Sequence, residues 1–209
     1  MSEPLPGEYF DAVPEAAGVR AESPLAGHGP RPQSDAGLVL RERRFRGHLL
    51  LRGHPDRSRL ADVVASRVGV DLPQRPLTLV RSGAVSLQWL SPDEWLAIVP
   101  LGETFRIAQQ LRHGSGGSVV DVSGGQTLVE LSGPRVREVL MKSTPCDVDD
   151  RAFPPGRAVM TVFAKTMAGI RRLDADRWEL ILRRSYADYL WRWLLDAGAE
   201  YGVSVLPAD

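Results

Sequence analysis

From Gly37 onward the hydrophobic positions alternate between a two-residue and a 3.6-residue rhythm, which predicts a mixed α+β domain. Leu38–Leu40 and His48–Leu51 read as strands. His54-Pro55-Asp56 is a helix-start signal, and Leu60, Val63, Val64 and Val68 then recur at helical spacing until Asp71-Leu72-Pro73. Leu77–Val80 and Val85–Leu90 flank the turn signal Ser82-Gly83, and Trp95–Val99 is a further strand after Ser91-Pro92-Asp93. Residues 103–111 carry Phe105, Ile107, Ala108 and Leu111 in a helical pattern, which the glycine run after His113 breaks.

The second half follows a similar order. Val119–Val122 and Thr127–Leu131 read as strands around Gly124-Gly125, and Gly133-Pro134 opens a helix carrying Val136, Val139 and Leu140. Ala158–Ala164 and Trp178–Leu182 are strand-like, Ser185 can cap a helix from Tyr186 to Ala197, and Val203–Leu206 is a last short strand. Gly53 and Gly133, each followed by a helix, lie 80 positions apart; Trp95 and Trp178, each opening a strand that precedes a helix, lie 83 apart. Nearly equal offsets predict a diverged repeat: two split β-α-β half-repeats, 37–113 and 117–209, with antiparallel sheets sharing a core.

Residues 1–36 show neither rhythm. They hold six prolines, six acids and two arginines, a composition that buries too little apolar surface to offset its ordering entropy. The segment reads either as a disordered tail or as an extended arm laid on a partner, with Tyr9, Phe10, Val13 and Leu25 as anchors. Residues 37–209 then form a single domain.

The segment richest in aromatic residues runs from Ser185 to Gly198. On a helical projection Tyr186, Leu190, Trp193, Leu194 and Ala197 form one stripe, while Trp191 and Leu195 fall outside it. A helix apolar over so much of its circumference is covered on two sides; the second cover is either this chain's own sheet or another subunit, and for a subunit interface Tyr189, Trp191 and Leu195 are the candidates.

Charge and chemistry narrow the rest. Lys+Arg and Asp+Glu are both 26, so no global basic field draws nucleic acid. The longest uncharged run, Ser82–Pro92, is far short of the ~20 apolar residues of a membrane span. The first residues lack the pattern of a secretory signal, so the cytoplasm is the expected compartment. Cys146 is the only cysteine, and the four histidines have no ligand spacing, so no metal site is expected. There is no nucleophile elbow, phosphate loop or dinucleotide fingerprint. The run Gly114–Gly117 reads as a flexible connection between the halves. Asp93-Glu94 and Asp147, Asp149 and Asp150 read as solvated turn charges, and Asp121 as a turn former. The basic stretch Arg41–Arg59 suits an acidic surface, either a partner's or the chain's own acidic tail.

Val119-Val-Asp-Val-Ser123, Leu131-Ser-Gly-Pro-Arg135, Pro145-Cys-Asp147, Phe153-Pro-Pro-Gly-Arg157, Trp178-Glu-Leu-Ile-Leu182 and the segment Arg183–Leu195, in this order, resemble the gamma-subunit family of bacterial heterotetrameric sarcosine oxidases. Leu51-Arg-Gly53, Leu72-Pro73 and Ser91-Pro-Asp-Glu-Trp95 fit as well. More distantly, Asp-Val-Ser followed by Leu-Ser-Gly-Pro and Pro-Gly is similar to the folate-binding domain of the aminomethyltransferase (glycine-cleavage T-protein) family. The resemblance implies a complex that oxidises sarcosine to glycine, with hydrogen peroxide and either formaldehyde or 5,10-methylenetetrahydrofolate as products. It implies FAD, FMN and NAD in the alpha and beta subunits, a working folate module for tetrahydrofolate in alpha, and zinc in delta. The gamma subunit is then a shortened relative of the folate module that acts structurally, with no catalytic, cofactor or metal residues of its own and with the alpha, beta and delta subunits as partners. A stand-alone tetrahydrofolate-binding one-carbon transferase-like protein is the alternative, and a basic-patch adaptor for an acidic protein a third reading.

Overall fold

The computed structural model describes residues 21–54 and 57–209 of the chain. The expected anchors Tyr9, Phe10 and Val13, and the Pro55-Asp56 helix-start signal, lie outside these residues. In chain order the elements are β1 (Leu38–Arg43), β2 (Gly47–Arg52), α1 (Leu60–Val68), β3 (Leu79–Ser82), β4 (Val85–Ser91), β5 (Glu94–Val99) and α2 (Thr104–Arg112). Then come β6 (Ser118–Asp121), β7 (Gln126–Ser132), α3 (Val136–Ser143), β8 (Ala158–Phe163), β9 (Thr166–Arg172), β10 (Arg177–Arg183), α4 (Ala187–Gly198) and β11 (Val203–Val205). The fold is α+β, and its sheets are mainly antiparallel.

The described chain divides into two compact units. One comprises Arg46–Pro76 and Val80–Ser123, the other Ser23–Phe45, Leu77–Leu79 and Gly124–Asp209. The first unit's sheet has the order β3-β4-β5-β2-β6 and the second's β11-β1-β7-β10-β9-β8. With β1 set aside, the second order is β8-β9-β10-β7-β11, which matches the first strand for strand. The helices match too, α1 with α3 and α2 with α4, so the repeat read from the glycine and tryptophan offsets is a repeat of topology.

The difference is β1. The sequence assigns Leu38–Leu40 to the first half, but β1 belongs to the second unit, between β7 (antiparallel, Leu40 opposite Leu131) and β11 (parallel, Leu38 opposite Val203). Periodicity identifies a strand without naming its neighbour. The strand read at Val119–Val122 moves the other way: β6 pairs with β2 and belongs to the first unit, so the expected bounds 37–113 and 117–209 do not divide the two units. Each unit also has its own buried cluster: Leu49, Leu51, Leu60, Trp95 and Leu111 in the first, Leu38, Leu40, Val129, Leu180 and Leu190 in the second.

In the first unit, Trp95 is buried with its indole Nε1–H donating to Pro73 O at 2.7 Å. Helix α1 stops at Gly69, which takes φ +73° and donates its N–H to Ala65 O. Gly114–Gly117 is a shaped turn inside this unit rather than a loose connection between halves. Gly114 and Gly116 have positive φ, Ser115 O accepts from the Arg59 N–H, and a Cβ on Gly117 would sit 2.6 Å from Arg52 O.

In the second unit the sequence reading omits one strand, β9. Its sequence, Thr-Met-Ala-Gly-Ile-Arg-Arg, ends in two consecutive buried arginines, which break any alternation of apolar and polar positions. Arg172 is buried because its guanidinium donates to Phe153 O at 2.8 Å, to Asp174 O and to Ala175 O, and lies 5.1 Å above the Trp178 ring. Arg171 pairs with Glu179 at 3.5 Å on the neighbouring strand.

The expectation for residues 1–36 is corrected over its described part. Residues 23–36 belong to the second unit, where Leu25 is a buried member of the core and Arg31 bridges to Val205. The segment needs no period of its own because it fills a site already built by strands and helix. Replacing Leu25 by Ala is expected to lower unfolding free energy by about 2–4 kcal/mol, read from urea unfolding midpoints. A change under about 0.5 kcal/mol would show that the segment is not docked.

Candidate functional site

The site that the sequence singles out is helix α4. Its buried residues are Ala187, Leu190, Trp191, Leu194 and Gly198, a stripe turned from the expected one. Tyr186, expected in the core-facing stripe, precedes the helix and is exposed, and no side-chain hydrogen bond from Ser185 caps it. Trp191 is only 2 % exposed and is a member of the second unit's core, which removes it as an interface candidate. Leu195 is half-buried against the same core, and Tyr189 is 37 % exposed. The two-sided cover that the helix needs is thus supplied in large part by its own chain.

The N-terminal segment forms one flank of that cover. The His28 ring lies 5.8 Å from the Trp191 ring, and His28 Nε2 is 2.8 Å from Asp188 Oδ1. The His28 bond, with Arg192 adding to it, holds the Asp188 carboxyl below its usual range. On the other flank Trp193 Nε1–H donates to Ser143 Oγ at 3.0 Å, and that hydroxyl donates to Val139 O at 2.6 Å. Lys142 donates to Ala197 O, pairs with Glu200, and stands 4.4 Å from the centre of the Tyr201 ring.

Beside Trp191 is a pocket of about 180 Å³, with Leu25, His28, Arg44 and Leu206 in its wall and Glu42 among its polar groups. Glu42 is buried in β1, where Leu38, Leu40 and Glu42 follow one another on the same face. Sequence reasoning missed this residue, although that two-residue phase was the available signal. Its carboxylate is engaged: Oε2 accepts from Ser23 Oγ at 2.8 Å and from Arg44 Nε at 3.1 Å, and Oε1 accepts from Thr127 Oγ1 at 3.1 Å. The pocket is below the ~300 Å³ of ordinary ligand sites, and its carboxylate, already bonded to three donors, pins Ser23 and the segment after it onto the strands.

The remaining candidates have structural employment. Asp147 and Asp149 accept the backbone N–H groups of Asp149 and Arg151, and Asp150 pairs with Arg172 at 2.6 Å and Arg137 at 2.5 Å. The Arg172 bond, aided by Arg137, holds the Asp150 carboxyl below its usual range. Burial pushes the Cys146 thiol up, away from the thiolate a nucleophile needs. Asp121 accepts from Ser123 N–H and Oγ–H, the work of a turn former. In the basic stretch Arg43 pairs with Glu130 at 2.9 Å and Asp209 at 2.6 Å, and Arg44 with Glu42, so acids of this chain outside the N-terminal tail take those charges. Among the described residues no group of His, Cys, Asp and Glu could hold a metal ion, and no helix is long and apolar enough to cross a membrane.

Comparison with known proteins follows the same lines. The family model described as "Sarcosine oxidase, gamma subunit family" matches residues 52–200. The sarcosine oxidase subunit gamma of Corynebacterium sp. (strain P-1) is 35 % identical over 173 residues, covering 80 % of this chain and 84 % of that one. The subunit of the same name from Arthrobacter sp. is 34 % identical over 168 residues, covering 78 % and 81 %. A chain of the heterotetrameric sarcosine oxidase from Corynebacterium sp. U-96, in complex with pyrrole 2-carboxylate, matches with a TM-score of 0.78 at 27 % identity, covering 89 % of this chain and 98 % of that one. The glycine cleavage system aminomethyltransferase T from Bartonella henselae shares the fold at a TM-score of 0.58 and 14 % identity, over 83 % of this chain and 48 % of that one.

Substitutions separate core from surface. Trp191→Ala is expected to cost about 3–5 kcal/mol in chemical unfolding, and Tyr189→Ala less than about 0.5 kcal/mol. Glu42→Ala strands two hydroxyl donors and is expected to cost about 2–4 kcal/mol in the same measurement. The Asp150 pairing stabilises at neutral pH and is lost as the pH falls through the carboxyl's lowered folded-state value. The unfolding curves of Asp150→Asn and the parent chain are therefore expected to differ at pH 7 and to converge in strong acid.

Proposed function

The chain belongs to the sarcosine oxidase gamma subunit family, and from that membership we propose that it is a non-catalytic structural subunit of a heterotetrameric sarcosine oxidase. The observation that carries the reading is the match, end to end on the relative's side, to a chain of a solved heterotetramer. In this reading the complex converts sarcosine, oxygen and water to glycine, formaldehyde and hydrogen peroxide. With tetrahydrofolate as acceptor, the one-carbon unit leaves as 5,10-methylenetetrahydrofolate and no water is consumed. The partners are the alpha, beta and delta subunits. FAD, FMN and NAD reside in alpha and beta, tetrahydrofolate in alpha, and zinc in delta.

The side chains of this chain support a structural part. Polar groups of the second unit are spent on holding strands, turns and the N-terminal segment, as with Glu42, Arg172 and Asp150. The thiol of Cys146 is displaced away from reactivity. What the chain contributes is shape: two compact units, with surface left for larger neighbours.

Purification of the tagged chain from cells expressing the whole complex is the direct test. The expected outcome is co-elution with flavin-coloured partner chains and sarcosine-dependent peroxide formation by the pool, with none from the isolated chain. A monomer that elutes alone and binds tetrahydrofolate saturably, followed by ligand fluorescence, would overturn the reading in favour of a one-carbon transferase-like protein.

A further inference from the structure

Strand β8 is the outer strand of the second unit's sheet. It pairs with β9 in unbroken register from Ala158 opposite Arg171 to Phe163 opposite Thr166. Backbone groups alternate sides along a strand. Arg157 O accepts from Arg172 N–H, on the β9 side. Ala158 N–H points the other way and donates to Leu77 O at 2.9 Å, and Ala164 N–H, also outward, donates to Ser143 O at 2.6 Å. The residues between them in the same phase are Met160 and Val162. Their amides and carbonyls face outward from the sheet, in a gap of roughly 20 Å bracketed by Leu77 and Ser143.

The side chains along this gap are apolar. Met160 is 42 % exposed, Val162 45 %, and Met167, which pairs with Val162 from β9, also 45 %. The two ends of the strand are anchored by Leu77 and Ser143, but between them, among the described residues, the edge carries no charge, proline or bulge. Residues 158–164, Ala-Val-Met-Thr-Val-Phe-Ala, also contain no glycine. A seven-residue run of that kind, left uncovered, is a template for uncontrolled strand pairing.

We propose that the Met160–Val162 edge of β8 docks an extended segment, about three to five residues long, from a different subunit of the complex, which adds a strand to this sheet. The inference rests on the structural-subunit reading above. Outward amides and carbonyls call for an extended backbone, and the gap sets its length. Met160, Val162 and Met167 call for apolar side chains on one face of that segment. The occupant is a different chain because the solved relative that this chain matches over 98 % of its length is a member of a heterotetramer.

Hydrogen–deuterium exchange on the intact complex tests this. The Met160 and Val162 amides are expected to exchange roughly a hundredfold more slowly than solvent-facing strand amides, as hydrogen-bonded amides do. Fast exchange at both positions in an assembled complex would overturn the docking inference while leaving the subunit reading intact. Failure of any complex to assemble would overturn the subunit reading itself, and the inference with it. Protection appearing in the chain alone, in step with dimer formation, would make the occupant a second copy and overturn the proposal too. Val162→Pro removes one outward N–H and none of the bonds to β9, and is expected to weaken partner retention roughly tenfold. Val162→Lys keeps the backbone and charges the patch, with the same expected direction. Thermal unfolding of both variants checks that β8 remains folded, and retention at the parent level by a folded variant would count against the docked strand.

Discussion

The second unit depends on one close approach of backbone to backbone. Gly133, at φ +110°, stands where a Cβ would come within 2.6 Å of Gly37 O, and that same carbonyl accepts the Arg135 N–H at the start of α3. With no side chain in the way, the N-terminal strand reaches the gap between β7 and β11. Once there, Leu38 and Leu40 enter the core, and Glu42 meets Thr127 and Ser23. The pinned segment then lays Leu25 and His28 along helix α4 and closes over Trp191. Each step uses the position fixed by the one before it.

Much of this was legible in the sequence, because local periodicity is a local property. The helices at Leu60–Val68, Thr104–Arg112 and Val136–Ser143 announce themselves through apolar spacing, and the paired tryptophans Trp95 and Trp178 mark equivalent strands of a repeat. What local pattern cannot carry is the identity of a distant neighbour. Leu38–Leu40 reads correctly as a strand and is assigned to the wrong half, since its neighbours Leu131 and Val203 are far along the chain. Strand β9 is hidden by Arg171 and Arg172, whose burial depends on Glu179 and on carbonyls of a loop.

The aromatic helix teaches the same lesson about sites. Its wide apolar surface is real, but counting apolar faces does not say who covers them. Trp191 is covered by a proline-rich segment that has no helical or strand rhythm and so gives no sign, when read alone, of docking. Exposed apolar side chains lie instead along the outer strand β8, in residues that look like any buried strand in the sequence. An apolar outer strand of this kind is tolerable if assembly takes it out of solvent, as the docking proposed above requires.

The placement of β1 also orders events in time. Its parallel neighbour β11 is made some 160 residues later on the ribosome, whereas the first unit's strands and helices all lie between the two. The first unit can close while the second is still being synthesised, and β1 must wait, unpaired, until β7 and then β11 emerge. A chain wired in this way finishes folding with its most distant contact, which makes late closure of the second unit its slow and vulnerable stage of biogenesis.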